Sequence, residues 1–291
     1  MKKDKIVEWP LTGSFPWCCA ILAGALWLSS PVAKAQVIAY DGFNYGVPNG
    51  TSVAGLNGGT GWQTAYSPSG SIFITNGLSY AGINSSGEAM AYTANATLNN
   101  SGRTWGAAGN IPTGTYWYSL LINPSDTGGA GPYSRGTFFI SGSGAGNQDG
   151  FGFRYDNTGS GNSLNLTADT VNGSAGTALN FAYDQTLFIV GQVIVGATSS
   201  SSQIWVFNNG NLPTSQAGLG TGSISSQAIG ASSLFSNIGG RAFGNSANTV
   251  FDEITIGNSF ADVVPVPEPA TMALLTGGLM TAWVVRRKVR Q

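Results

Sequence analysis

Glycine punctuates this chain so densely, at 43 of 291 positions, that long helices are disfavoured through most of it. Inside a helix it costs about 1 kcal/mol relative to alanine, because it loses the most backbone freedom on ordering. Between the glycines, residues 36–262 carry short apolar runs and no sustained i, i+3, i+4, i+7 pattern. The runs are SIFIT (71–75), YWYSLLI (116–122), TFFIS (137–141), GFGFRYD (150–156), LNLTADT (164–170), TLFIVGQVIV (186–195), QIWVF (203–207) and VFDEITI (250–256). They are rich in β-branched and aromatic residues and bounded by Gly, Asn, Ser and Pro. In GFGFRYD the rings of Phe151, Phe153 and Tyr155 fall on one face, and Gly152 and Arg154 on the other. The pattern predicts an all-β sandwich of about a dozen strands, forming one domain over residues 36–262.

Charge then narrows the function. Only 9% of the residues are charged, and no lysine lies between positions 35 and 287. Residues 36–266 hold four arginines against ten carboxylates, a net charge of −6. Phosphate binding needs clustered Lys and Arg, so no nucleic-acid partner is expected. Histidine is absent, which removes the usual general base, the usual metal ligand and every His-dependent triad. The two cysteines, Cys18 and Cys19, both lie in the N-terminal apolar stretch. A chain without that stretch has neither a disulfide nor a Cys-ligated metal.

The two ends read as targeting segments. Lys2, Lys3 and Lys5 form a basic start, residues 17–28 an apolar centre, and Ala33-Lys34-Ala35 a small-x-small cut site. That is the layout of a secretory signal peptide over residues 1–35, cut by signal peptidase so that the mature chain begins at Gln36. At the other end, residues 271–285 run fifteen positions without a charge, about 22 Å as a helix. This is short for a bilayer core of about 30 Å, and snorkelling arginines cover part of the gap. A membrane helix is expected over about 270–285. The stub Arg286, Arg287, Lys288 and Arg290 stays cytoplasmic by the positive-inside rule. Both ends therefore send the body across the inner membrane.

Pro267-Glu268-Pro269, an apolar segment and an Arg-rich tail, within residues 263–291, resemble the PEP-CTERM sorting signal of Gram-negative bacteria. The resemblance implies that a membrane protease, exosortase, cuts near the tripeptide. The protein, anchored transiently, is then released or re-anchored at the cell surface or outside. The stretch VPVPEPA suits such a grip, because each proline keeps its predecessor extended. A second resemblance runs along the body. YDGFNY (40–45), LNGGTGW (56–62), QIWVFNNGNLP (203–213) and NTVFDEITIG (248–257) resemble concanavalin-like, laminin-G-type jelly rolls.

Folds of that class include glycosidases, which place two carboxyls about 5 Å apart or somewhat more. The body has only two glutamates, Glu88 and Glu253, and Asp252 and Glu253, as strand neighbours, are expected to face opposite ways. Asp149 and Asp156, seven apart, are expected to do the same. No enzymatic activity and no cofactor is therefore expected. Calcium is a weak option at residues 146–162, where Asp149, Asp156 and Asn157 lie among glycines without an EF-hand spacing. Trp62 and Trp105 are candidate glycan contacts, and Trp117 and Trp205 candidate core. The reading is an exported, non-catalytic envelope or extracellular-matrix protein, with exosortase, signal peptidase and exopolysaccharide as the expected partners and a lectin-like carbohydrate-binding module as the alternative. A polysaccharide-active enzyme ranks third.

Overall fold

A computed structural model describes residues 36–67, 72–80, 82–83, 85, 87–92, 99–105, 112–126, 135–141, 150–157, 163–170, 173–182, 184–197, 199–208, 210–220, 229–230, 237–243 and 247–265. Residues 35–266 belong to one compact unit. The expected signal peptide, membrane helix and basic tail lie outside the described residues.

The fold is all-β, as the sequence predicts. Its strands are β1 Val37–Asp41, β2 Ile72–Asn76, β3 Glu88–Tyr92, β4 Asn99–Thr104, β5 Gly114–Asp126, β6 Arg135–Ser141 and β7 Gly150–Asn157, followed by β8 Ser163–Thr170, β9 Gly173–Ala182, β10 Leu187–Val195, β11 Ser199–Phe207, β12 Ile229–Gly230, β13 Asn237–Phe243 and β14 Ala247–Gly257. One sheet has the order β12-β11-β10-β5-β14-β3-β2, with β1 also on β14; the other runs β4-β13-β6-β7-β8-β9. Every pairing among them is antiparallel. The sheets approach one another where β11 meets β7 and β14 meets β6.

Each of the eight runs singled out in the sequence coincides with a strand, apart from Thr186, which precedes β10, and Ser71, which lies outside the described residues. Those not foreseen include β4, β9 and β13, whose sequences NNSGRT, GSAGTALNFA and NIGGRAF lack alternating bulky residues. Their place is set by ladder pairing rather than by their own side chains, as when β13 lies between β4 and β6.

The larger sheet is buried on both faces. Tyr118, Leu120 and Ile122 of β5 enter one apolar cluster with Ile189, Ile204, Phe251 and Trp105. Trp117 and Leu121 enter a second with Phe188, Val190, Trp205 and Phe260. This two-sided burial explains why LFIVGQVIV in β10 is almost continuously apolar. Gly191 makes room there: a Cβ on it would lie 2.0 Å from the Tyr118 ring, which crosses it from the paired position on β5.

A short helix, α1 (Phe260–Val263), closes the second cluster. Phe260 meets the Trp117 ring edge-on at 5.6 Å, and Trp117 stacks on Trp205 at 5.8 Å. The Ser119 hydroxyl donates to the Val263 carbonyl at 2.6 Å, fastening the end of the helix to β5. The chain thus stays folded onto the sheet up to Val264, which is 1% exposed.

Candidate functional site

Two polar centres interrupt this apolar frame. The first is built from the glycine-rich motifs near the start of the body. Asp41, at the end of β1, pairs with Arg103 of β4, and neither side chain is exposed. Asp41 also accepts from the Phe43 N–H at 2.9 Å, the Tyr45 hydroxyl at 2.8 Å and the Tyr66 hydroxyl at 3.2 Å. Arg103 donates in addition to Asn57 Oδ1 at 2.9 Å and the Thr64 carbonyl at 3.3 Å. Its guanidinium lies 4.5 Å from the Trp62 ring centre and 4.9 Å from that of Tyr66. Burial pushes the Asp41 carboxyl up, against the pull of Arg103 and the Tyr45 hydroxyl. The motif glycines are needed for close approach: Gly61, at φ +76°, would put a Cβ 1.9 Å from the Ile38 carbonyl.

This centre accounts for Trp62. Its indole N–H donates to the Tyr40 carbonyl at 2.8 Å and one face carries Arg103, while the ring itself is half-buried. Trp105 is 5% exposed, within the first apolar cluster and edge-on to Tyr116 at 5.8 Å. Of the two candidate glycan contacts, Trp105 is thus a packing residue and Trp62 a half-buried one with a face on Arg103, and Trp117 and Trp205 lie in the core as expected.

The second centre lies on β14. One flank of β14 pairs with β5; the other is shared by β3, at Thr249–Phe251, and β1, at Ile254–Gly257. Between those partners the register to β5 slips from Asp252 to Thr255. Phe251, Ile254 and Ile256 all enter the first cluster, so alternation breaks by one residue. Asp252 and Glu253 consequently leave the strand on the same side. This corrects the expectation that they face opposite ways, which holds only for an unbroken strand. Glu253 takes the left-handed region, φ 52°, to make the turn.

Their environments differ. Asp252 is wholly buried, and its two oxygens accept from the backbone N–H groups of Leu78 and Glu253, each at 2.8 Å. Burial and then the neighbouring Glu253 carboxylate outweigh those bonds, so its carboxyl is pushed up to about 8. Glu253 accepts from the Tyr40 hydroxyl at 2.7 Å. Burial and that bond raise the Tyr40 phenol. Glu253, Tyr40 and Ser119 line a cavity of about 360 Å³ with Phe188, Val263 and Asp262.

Here Asp252 has no exposed surface and holds backbone groups with both oxygens, so its place is to lock the bulge. Of the two neighbours, Glu253 is the one that meets the cavity, which Asp262 also lines. The described residues contain no group of three or more His, Cys, Asp or Glu side chains able to hold a metal. Asp149 lies outside them, as does the side chain of Asp156, so the calcium expectation falls on residues the structure does not describe.

The cavity sits at the root of the C-terminal segment. Residues 265–288 match the PEP-CTERM protein-sorting motif. The match spans Pro267, Glu268, Pro269, Arg286, Arg287 and Lys288, stops short of Arg290, and begins one residue after Val264. The chain thus carries the address of an exported protein that an exosortase processes. No helix among the described residues is long and apolar enough to cross a membrane. No curated protein matches the chain in sequence.

Among solved structures, lectin II from Ulex europaeus is similar at a TM-score of 0.34 and 12% identity, over 64% of this chain and 92% of that one. The Emp47p carbohydrate recognition domain is similar at 0.36 and 11%, over 76% and 97%. A protein of unknown function from Shewanella oneidensis MR-1 is similar at 0.38 and 10%, over 86% and 98%.

Proposed function

We propose that the chain is a non-catalytic protein of the cell envelope or extracellular matrix, exported across the inner membrane and delivered by exosortase. The observation that carries this reading is the sorting motif at residues 265–288, which starts one residue after the buried Val264. The body is anionic and lysine-free, suited to life beside polysaccharide rather than nucleic acid. The non-catalytic part is supported by Asp252, sealed beneath the sheet surface with both oxygens committed. Signal peptidase removes residues 1–35, and exosortase cuts near Pro267-Glu268-Pro269 after the helix of about 270–285 has held the chain in the membrane. Replacing those three residues by alanine tests the sorting step. The expected outcome is a chain from Gln36 to Gln291 accumulating in the inner-membrane fraction, and unchanged release would contradict it.

A carbohydrate-binding role is the second reading, favoured by the cavity of about 360 Å³, which is within the range of small-ligand sites. Sugar hydroxyls would be held there by Glu253 and Tyr40 rather than by Trp62 or Trp105. Binding on a glycan array that Glu253→Gln abolishes is the expected result on this reading, and silence across the array counts against it.

A further inference from the structure

The backbone nitrogen of Gln36 donates to Asp262 Oδ1 at 2.6 Å. Gln36 is also the residue at which the mature chain begins if Ala33-Lys34-Ala35 is the signal-peptidase site. We infer that Asp262 is a receiving site for the α-ammonium created at Gln36 when the signal peptide is removed, and the inference rests on that cut-site reading.

The site is built before the cut. Val37 pairs with Gly257, which fixes the neighbouring Gln36 beside the end of β14. Asp262 is the third residue of α1, and its Oδ2 accepts from the Ser259 N–H at 2.6 Å in a capping box. Its side chain lies so close over Gly257 that a Cβ there would be 2.2 Å from the Asp262 Cβ. The carboxylate is therefore held by its own helix, with its other oxygen aimed at Gln36. Cleavage turns a neutral amide N–H into a charged donor without moving it, and charge-assisted bonds are roughly twice as strong as neutral ones. Asp262 stands three residues before the start of the sorting motif. The pairing thus ties the newly cut N-terminus to the root of the segment that exosortase acts on.

The lysine distribution makes the pairing measurable. The lysines are Lys2, Lys3, Lys5, Lys34 and Lys288, so the body between the two cut sites has one primary amine, at Gln36. Only the unprotonated amine attacks an acylating reagent, and a fixed carboxylate favours the protonated form. The exported protein is purified and treated with an acetyl succinimidyl ester, and acetylation at Gln36 is followed by mass spectrometry. The rate is expected to rise about three- to tenfold in Asp262→Asn. Ser259→Ala, which loses the reciprocal cap but keeps the carboxylate, is expected to stay near the wild-type rate. Equal rates in wild type and Asp262→Asn overturn the pairing and leave the cut site standing. A mature chain that begins elsewhere, or whose terminal glutamine has cyclised to a lactam with loss of ammonia, places no ammonium at Asp262 and overturns the inference itself. The mass separates these outcomes. If Asp262→Asn is not recovered, acetylation of the wild type in urea is compared with that of the folded protein, and an unchanged rate overturns the pairing.

Discussion

Asp252 contributes to the pH response of the body, in the same direction as Asp41, whose carboxyl is also pushed up by burial. Folded, it keeps its proton up to about pH 8, while the unfolded chain releases it near 3.8. Between those values the folded state binds the extra proton, so each rise in pH favours unfolding. The stabilisation is complete below about pH 4 and is lost as pH climbs through about 8. The urea midpoint of the wild type is therefore expected to fall between about pH 5 and about pH 8. Asp252→Asn should lower the midpoint at acid pH, since its amide nitrogen cannot accept a backbone N–H, and should flatten the slope. A wild-type midpoint that rises over this range would refute the assignment. Arg103 has a different part: its worth is in holding Asp41, Asn57, Trp62 and Tyr66 in one arrangement rather than in net electrostatic stability.

At the scale of elements, the strands readable in the sequence were those with bulky alternating residues. β10 and β5 declare themselves through LFIVGQVIV and YWYSLLI, whose side chains fill both clusters. β13 could not be read, because NIGGRAF draws its pairing from β4 and β6 rather than from its own side chains. The bulge in β14 was equally hidden. VFDEITI looks like uninterrupted alternation, and the slip arises because β3 ends and β1 begins on the same flank. Gly191 is a strand position where one methyl group matters. Gly191→Ala forces the Tyr118 ring off its place between β5 and β10, and a loss of about 1–3 kcal/mol in stability is expected from chemical unfolding. An unchanged midpoint would mean that the ring moves freely, contrary to its complete burial.

Across the whole molecule, the sequence revealed destination more clearly than chemistry. Pro267-Glu268-Pro269 and the basic tail can be recognised in one dimension because a sorting signal is read as a linear segment. The Asp41–Arg103 centre and the cavity beside Glu253 needed three dimensions, since their parts come from strands up to about two hundred residues apart. Trp62 and Trp105 illustrate the same limit: an indole's sequence context does not reveal whether another side chain already covers it. The account's central claim is that the folded body is cut free of both ends outside the inner membrane. Mass spectrometry of the two termini of the exported protein tests it most directly. The prediction is a chain that starts at Gln36 and ends near Pro269. Full-length protein in the cytosol, with Met1 and Gln291 both in place, would contradict it.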